Sequence, residues 1–453
     1  MHHIPSSLGT ERIGRLVVRL CVPTILSQLI NALYTIVDRI YIGHIAVDGP
    51  LALTGIGLSF PIIMLLSAFS MLVGSGGAVH ASIKLGQNKK DGANLLLNQS
   101  LGTLLLFSCI LTLFFQWLKE PLLLLFGASA NTLPFSLDYL GIYLWGTLFV
   151  LISMGMNPFI TAQGFSKVSM LTMLLGSVIN IVLDPIFIFV FGWGVKGAAY
   201  ATVISQAASA VWVISFLSSK RSSLTISLSK LKPTRKVMLP VLALGISPFF
   251  MMSTESLVNI VLNSTLHRTG GDIAVGAMAI LSSVMMFSLA PLQGLTQGGQ
   301  PILSYNWGAG NSKRVQQAFT YILLASVSFT TIVCLVLVLS PSVVVGLFTK
   351  DEILLQTTAQ AMRIYSSGFW ILGIQIACQQ AFIAFSQAKI SFFLALLRKI
   401  ILLIPLVYLL GGLLGMQGVF IAEPIADILA GLTTATLFFL NFKKILSKHS
   451  ATS

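Results

Sequence analysis

Long, continuously apolar stretches recur along the whole chain and constrain its fold more than any other feature. Each is about 20 residues or more, which is enough to cross the hydrocarbon core of a bilayer as an α-helix. A transmembrane barrel would instead show segments of roughly ten residues in which apolar and polar side chains alternate. Of the 453 residues, 55% are hydrophobic and 9% are charged. The sequence therefore predicts an all-α integral membrane protein.

Twelve such stretches can be distinguished, with short polar or basic connections between them. Their approximate bounds are 15–43, 51–81, 93–117, 133–160, 168–190, 196–218, 237–264, 274–302, 315–340, 354–385, 390–411 and 416–441. We expect each to form one transmembrane helix.

Lysine and arginine are distributed unequally between the two sides that these connections define. One side receives the basic connections at 84–90, 220–236, 313–314 and 443–448, whereas the opposite side receives Lys119, Lys196, Arg268 and Lys350. Because cytoplasmic loops are enriched in Lys and Arg, we expect both termini in the cytoplasm. We also expect the chain to lie in the lipid bilayer of the cell (inner) membrane and to be a monomer. The net charge of +14 is then mostly topogenic, and its dispersal over loops argues against nucleic-acid binding.

The two halves of the chain repeat the same landmarks. Residues 222 positions apart match as Gly76 with Gly298, Gly77 with Gly299, Gly86 with Gly308, Phe126 with Phe348, Tyr143 with Tyr365 and Lys167 with Lys389; Gly194 and Gly197 match Gly415 and Gly418 at 221, and Pro185 matches Pro405 at 220. Six helices, an even number, separate equivalent positions, so the halves enter the membrane in the same orientation. This predicts two six-helix lobes related by a pseudo-two-fold axis along the membrane normal.

The predicted lobes span 1–218 and 237–441, joined by a basic, Ser-rich cytoplasmic linker at 219–236 and followed by a cytoplasmic tail at 442–453. Parallel repeats of this kind are typical of transporters, with the substrate bound between the lobes. An integral-membrane enzyme would need an interfacial cluster of catalytic His, Asp or Ser, and the sequence shows none. A receptor is not indicated by the repeat.

Asp184 lies inside one of the most apolar stretches, one helical turn after Asn180 and directly before Pro185. An acid at that depth is costly unless it faces a cavity or a partner. Asn180 and Asp184 share one helix face, and Pro185 removes a backbone donor and favours a kink. Amide, carboxylate and loosened carbonyl oxygens suit a hard monovalent cation or a proton. The alternative is that Asp184 accepts a hydrogen bond or pairs with a neighbouring helix.

Other acids within the stretches have structural alternatives of their own. Asp38 is adjacent to Arg39, but consecutive helical residues point about 100° apart, so we expect Asp38 to face inward and Arg39 toward the rim. Glu255 is a candidate cation-facing acid of the second lobe.

Glu423 and Asp427 lie near the start of the last stretch, where acids commonly interact with the helix dipole. Arg398 and Lys399 lie about ten residues into the eleventh stretch. We interpret these two bases as members of a structural ion pair rather than as substrate contacts.

Four segments together resemble the multidrug and toxic compound extrusion (MATE) family of bacterial transporters, over nearly the full length. They are VDRIYIGH from Val37, NIVLDPIF from Asn180, GVKGAAYAT from Gly194 and QGGQPILSYNWGAGN from Gln297. The resemblance is closest to the small-drug exporters of Gram-positive and related bacteria.

This resemblance implies a first-lobe cation site formed by Asp38, Asn180, Asp184 and Thr202. If the ion is Na⁺, then Asp38, Asn180 and Asp184 are its implied metal ligands. Glu255 matches an acid that one branch uses in its second lobe, as a contact for a cation or the substrate. That branch also has an Asp in its tenth span, and this sequence has none in the corresponding ILGIQIACQQ.

The resemblance implies an antiporter that uses Na⁺ or H⁺, and no other cofactor, to export lipophilic cationic drugs by alternating access, and hence a role in antibiotic resistance. No Walker A sequence is present to indicate ATP hydrolysis. The alternative is a flippase for lipid-linked oligosaccharides or cell-wall precursors in the same superfamily. Such a cleft should be rich in basic residues, whereas Arg39, Arg363, Arg398 and Lys399 are here offset by acids.

Overall fold

The computed structural model describes residues 7–45 and 49–450. The first residues of the predicted first lobe, 1–6, and the last of the predicted tail, 451–453, lie outside the described residues, as does the side chain of Lys448. Within the described part of the chain, nine helices are long and apolar enough to cross a membrane, or ten when one bent pair counts as a single span.

Those helices comprise twelve spans, because two of them contain a break. The first half has α1 (Ile13–Gly43), α2 (Gly49–Gly86), α3 (Lys90–Leu125), α4 (Leu133–Trp145 with Thr147–Ala162), α5 (Ser166–Pro185, continued by the π-helix Ile186–Val190) and α6 (Gly194–Ser218). The second half has α7 (235–270), α8 (272–308), α9 (Ser312–Leu339), α10 (Glu352–Tyr365, a 3₁₀ turn Ser366–Gly368 and Phe369–Ala384), α11 (388–414, with the π-helix Leu397–Leu403) and α12 (416–450). The predicted all-α fold of twelve spans is confirmed.

Glycines mark the breaks at positions that repeat between the halves. Gly271 separates α7 from α8 with φ 62°, and Gly415 separates α11 from α12 with φ 63°. Gly194, the repeat partner of Gly415, also has a positive φ of 52°. Because L-residues with a side chain rarely adopt this conformation, glycine is the residue that permits each tight turn. The repeat therefore preserves backbone geometry as well as residue type.

Large apolar side chains cover the outside of the helices. Trp117 is 80% exposed, Leu440 74% and Leu413 71%. Soluble monomers rarely expose large contiguous apolar patches, so these surfaces are suited to lipid. The protein is a multi-pass membrane protein.

The chain divides into two compact units whose bounds do not coincide with the repeat. One unit contains residues 26–252 and the other contains residues 7–25 and 253–450 among those described. The first half of α1 therefore packs within the second unit, and the first half of α7 within the first unit.

Glycines permit the close packing of these two helix beginnings. In the first unit, a Cβ on Gly76 of α2 would meet the Val241 carbonyl of α7, and one on Gly245 would meet the Leu72 carbonyl. In the second unit, a Cβ on Gly298 of α8, the repeat partner of Gly76, would meet the backbone of Cys21. In both units, therefore, a glycine allows the beginning of a helix from the other half of the chain to pack closely.

The segment between the halves, residues 219–234, is held against the first unit by amide side chains, and we call it the strap. Gln163 Oε1 accepts hydrogen bonds from the backbone N–H groups of Ser223 (2.7 Å) and Leu224 (3.1 Å). Asn98 Oδ1 accepts the N–H of Ser227 at 2.6 Å, and Asn98 Nδ2 donates to the Thr225 carbonyl at 3.0 Å. The strap is therefore an ordered part of the first unit.

Replacing Gln163 by leucine is expected to loosen the strap. The buried N–H of Leu224 and the more exposed N–H of Ser223 would lose their acceptor, at a cost of about 1–3 kcal/mol. Limited trypsin digestion should then cut after Lys220 and Arg221 faster than in the parent protein. Gln356, which is exposed on α10, gives a matched control, since Gln356→Leu should not alter cleavage there. Equal cleavage rates for the parent and Gln163→Leu would contradict the role of Gln163.

Candidate functional site

A completely buried carboxyl group, that of Asp184, lies at the end of the α-helical part of α5. Asn180 and Asp184 are both completely buried. Directly after Pro185 the helix changes to the π-helix Ile186–Val190, which is the local disturbance that a proline inside a helix produces. Single-turn π segments occur frequently at functional sites.

Asn180 connects Asp184 to α6. In its favoured orientation the Asn180 amide nitrogen donates to Asp184 Oδ2 at 2.7 Å, and the amide oxygen accepts from the backbone N–H of Thr202 at 3.3 Å. The Thr202 hydroxyl donates to the Ala198 carbonyl at 3.0 Å. The amide thus fixes the direction of the carboxylate.

Asp38 completes this arrangement from the second half of α1, within the same unit. Its carboxyl group lies within hydrogen-bonding reach of that of Asp184. Asp38 Oδ1 is buried and makes no hydrogen bond with any described residue. The structure therefore brings together all four residues that the resemblance implied: Asp38, Asn180, Asp184 and Thr202.

Arg39 does not pair with its neighbour Asp38. The Arg39 guanidinium lies 4.9 Å from the ring centroid of Phe60, in a cation–π contact, and the ion pairs among the described residues do not include Arg39. The alternative of a structural Asp38–Arg39 pair is therefore not what the structure contains. The two carboxyl groups share their site without a fixed cationic side chain.

Two tyrosines, Tyr34 and Tyr139, lie near these carboxyl groups, and their presence there was not predicted from the sequence. A third, Tyr143, stacks on Tyr139 with ring centroids 6.0 Å apart. Two signals were present in the sequence. Tyr34 precedes Asp38 by one helical turn, which places both on one face, and Tyr143 is one of the repeated landmarks.

A second group of charges lies in the second unit. Arg398 Nε donates to Asp427 Oδ1 at 2.6 Å, and Arg398 Nη2 donates to Glu423 Oε1 at 3.0 Å. The expected structural ion pair is present. The helix-dipole interpretation of the two acids is wrong, because α12 begins after Gly415, so Glu423 lies two turns inside the helix and is salt-bridged.

Glu255 forms an ion pair with the Lys399 ammonium. Arg398 and Lys399 are consecutive, yet both reach acids, and both lie in the π-helix Leu397–Leu403. The wider turn of a π-helix changes the angle between successive side chains from that of an α-helix. The Glu255 side chain is 56% exposed and that of Lys399 13%, so this pair lies at the accessible edge of the group.

The two charge groups have opposite chemical character. In the first unit, two carboxyl groups, one amide and one hydroxyl converge, and the ion pairs among the described residues do not include either carboxyl group. Such an oxygen set fits a hard monovalent cation or a shared proton, and the unpartnered Oδ1 of Asp38 is the atom that would gain a ligand. In the second unit, arginine and lysine already hold the acids.

Comparisons with known proteins agree with this architecture. The family model MatE matches twice, at residues 23–186 and 248–409, once in each half. The chain is 27% identical over 412 residues to the multidrug export protein MepA of Staphylococcus haemolyticus (strain JCSC1435), covering 90% of both chains.

Solved structures also match along the whole chain. The fold is similar to a crystal structure of MATE in the bent conformation, with TM-score 0.92, 24% identity and 100% of both chains covered. It is also similar to the outward-facing conformation of a multidrug resistance MATE family transporter of the MOP superfamily, with TM-score 0.91, 23% identity and 98% and 99% covered.

Proposed function

Since this chain belongs to the MatE family, the multidrug and toxic compound extrusion transporters, we propose that it is an antiporter that exports lipophilic, mostly cationic drugs in exchange for Na⁺ or H⁺. The observation that carries this proposal is the pair of carboxyl groups of Asp184, which is completely buried, and Asp38, which is half-buried with a buried Oδ1, and neither has an ion-pair partner among the described residues. The name of the staphylococcal relative, a multidrug export protein, supports the substrate class.

The proximity of the two carboxyl groups explains why the site should bind a cation. Two carboxylates within hydrogen-bonding reach repel each other, so ionisation of both is unfavourable in a buried place. A single proton shared between Asp38 and Asp184 removes the repulsion. Na⁺ would do the same by ligation to Asp38 and Asp184, with the Thr202 hydroxyl nearby. The Asn180 amide would have to turn over to present its oxygen to the ion, because its nitrogen faces Asp184 in this structure.

Exchange follows if the ion and the drug bind the two facing states unequally. A negative site open to the cytoplasm attracts a lipophilic cation. A site open to the outside takes up Na⁺ or H⁺, which cancels the negative charge and weakens the attraction for the drug. Because coupling is reciprocal, drug binding must weaken ion binding by the same factor.

The flippase alternative has less support. A carrier of lipid-linked pyrophosphate needs unpaired basic side chains, whereas Arg398 and Lys399 are both paired with acids. We further propose that the protein acts in the cell membrane as a monomer, with both termini in the cytoplasm. The Lys and Arg distribution supports the position of the termini. A transport role, rather than an enzymatic one, is consistent with the family.

Transport by purified protein in liposomes would test the proposal. The substrate would be a fluorescent lipophilic cation, and an opposing Na⁺ gradient or H⁺ gradient would be imposed separately. The effective gradient should drive the substrate against its own concentration gradient, and the rate of substrate movement should be at least about tenfold higher than in proteoliposomes without an ion gradient. Collapsing the effective gradient with an ionophore should stop it. Protein-free liposomes are the control. Substrate movement that ignores both gradients would refute cation coupling.

A further inference from the structure

The charge group of the second unit is not electrically balanced. Glu255 and Lys399 balance each other at the exposed edge. Deeper in the unit, one guanidinium, Arg398, faces two acids, of which Glu423 is 7% exposed and Asp427 3%. If both acids were ionised, one negative charge would remain uncompensated in a buried place, which costs several kcal/mol.

The excess negative charge can be assigned to Glu423, because one of its oxygen atoms has no hydrogen-bond partner among the described residues. Asp427 Oδ1 and Glu423 Oε1 each accept from the guanidinium, but Glu423 Oε2 is buried and has no hydrogen-bond partner among the described residues. A bare buried oxygen is far more costly on a carboxylate than on a neutral acid. The geometry therefore favours a proton on Glu423 and an ionised Asp427 paired with Arg398.

The surroundings of Glu423 come from four helices. Glu255 on α7, Tyr365 on α10, Arg398 and Lys399 on α11 and Asp427 on α12 are the titratable and charged groups that face it. Each basic group already has an acidic partner. Arg398 occupies one oxygen of both buried acids, which leaves too few oxygens to coordinate a metal cation and leaves a proton as the ligand that fits.

Glu423 is the repeat equivalent of Thr202, a residue of the first-unit site. Thr202 and Glu423 are 221 residues apart, the same separation as Gly197 and Gly418. The fold supports this equivalence, since a Cβ on Gly146 of α4 would meet Val203, and one on Gly368 of α10 would meet Pro424. Glu423 therefore stands where the first unit has a member of the Asp38–Asp184 group.

We propose that Glu423 is a proton-binding site of the second unit, protonated at neutral pH and separate from the site of the first unit. The Arg398–Asp427 pair supplies a charge-balanced setting in which the Glu423 proton is gained or lost alone. The existence of this site does not depend on the proposed function. Its use as an additional coupling proton does.

Infrared difference spectroscopy on the full-length protein in lipid nanodiscs, with the pH raised from neutral, would test the site. The parent should show the carbonyl stretching band of a protonated carboxylic acid, and this band should disappear on alkalinisation. In Glu423→Gln the intensity of the band should be lower by the contribution of one carboxyl group. The Asp38→Asn/Asp184→Asn double variant should keep that contribution. Glutamine resembles the neutral acid, so Glu423→Gln should unfold within about 3 °C of the parent.

Two results would overturn the site: an unchanged carboxylic-acid band in Glu423→Gln, or a large loss of thermal stability, which would mean that Arg398 needs an ionised Glu423. The coupling role has its own measurement. The number of protons exchanged per substrate is obtained from the substrate gradient that just balances a fixed pH gradient in liposomes. This number should be lower by one in Glu423→Gln than in the parent protein. An unchanged ratio would remove the coupling role, and a protein that transports nothing would refute the proposed function while leaving the infrared result intact.

Discussion

Asp184→Asn is expected to reduce ion-driven export of a lipophilic cation by about 10- to 100-fold, which is the range of coupling between linked binding sites. Asparagine keeps the shape of the side chain and can still contact Asn180, but it carries no charge and takes up no proton. The site would then have the same charge in both facing states, so the ion gradient would no longer act on drug binding. Asp38→Asn should behave alike, because the two carboxyl groups form one site.

Asp138 offers a matched control in the same unit. It forms a surface ion pair with Lys196 at 3.4 Å, and both side chains are about half exposed. Asp138→Asn should leave transport unchanged, since exposed pairs contribute little. Transport in proteoliposomes would be measured beside thermal unfolding, so that loss of coupling is separated from loss of fold. Full ion-driven transport by both Asp38→Asn and Asp184→Asn would exclude this pair as the coupling site.

Arg398→Met is expected to destabilise the second unit strongly, and far more than Glu423→Gln. It removes the guanidinium from between Glu423 and Asp427 and leaves at least Asp427 as a buried charge without a partner. Breaking a buried ion pair in this way costs about 3–5 kcal/mol. The midpoint of thermal unfolding in lipid nanodiscs is the measurement.

The triple variant Arg398→Met/Glu423→Gln/Asp427→Asn tests the reason for that loss. Because it removes the guanidinium together with both carboxyl groups, it leaves no buried charge in this group and should recover most of the stability, as uncharged replacements of buried ion pairs commonly do. Arg363→Met, at an exposed position of α10, is the matched control and should unfold like the parent. If Arg398→Met also unfolds like the parent, the guanidinium does not stabilise this group.

The fold class was predictable from the sequence because the membrane leaves few choices. Backbone groups in hydrocarbon must bond within a helix or a closed barrel, so the length of each apolar stretch was enough to distinguish them. The repeat was equally readable, and the MatE model matches once in each half. What sequence periodicity did not reveal were the breaks inside predicted spans, such as the 59° bend between Leu133–Trp145 and Thr147–Ala162.

The charged groups were only partly predictable. The cost of an acid in lipid identified Asp38 and Asp184 as requiring partners, yet it did not indicate that Tyr34 and Tyr139 lie beside them, because tyrosine is common in spans. Arg398, which pairs with both Glu423 and Asp427, lies in the π-helix Leu397–Leu403. The hydrophobic pattern of the sequence did not predict this π-helix, and so it did not predict the direction of the Arg398 side chain. The unpartnered Oε2 of Glu423 is a property of packing alone.

The packing of residues 7–25 within the second unit and of residues up to 252 within the first bears on how such a chain arose. A six-helix ancestor encoded before gene duplication would have lacked the helix beginning that completes its own core. Two identical copies could have supplied it to each other, as in a domain-swapped homodimer. In the single polypeptide each half still contributes one helix beginning to the unit formed mainly by the other, so either half expressed alone would lack a part of its own core.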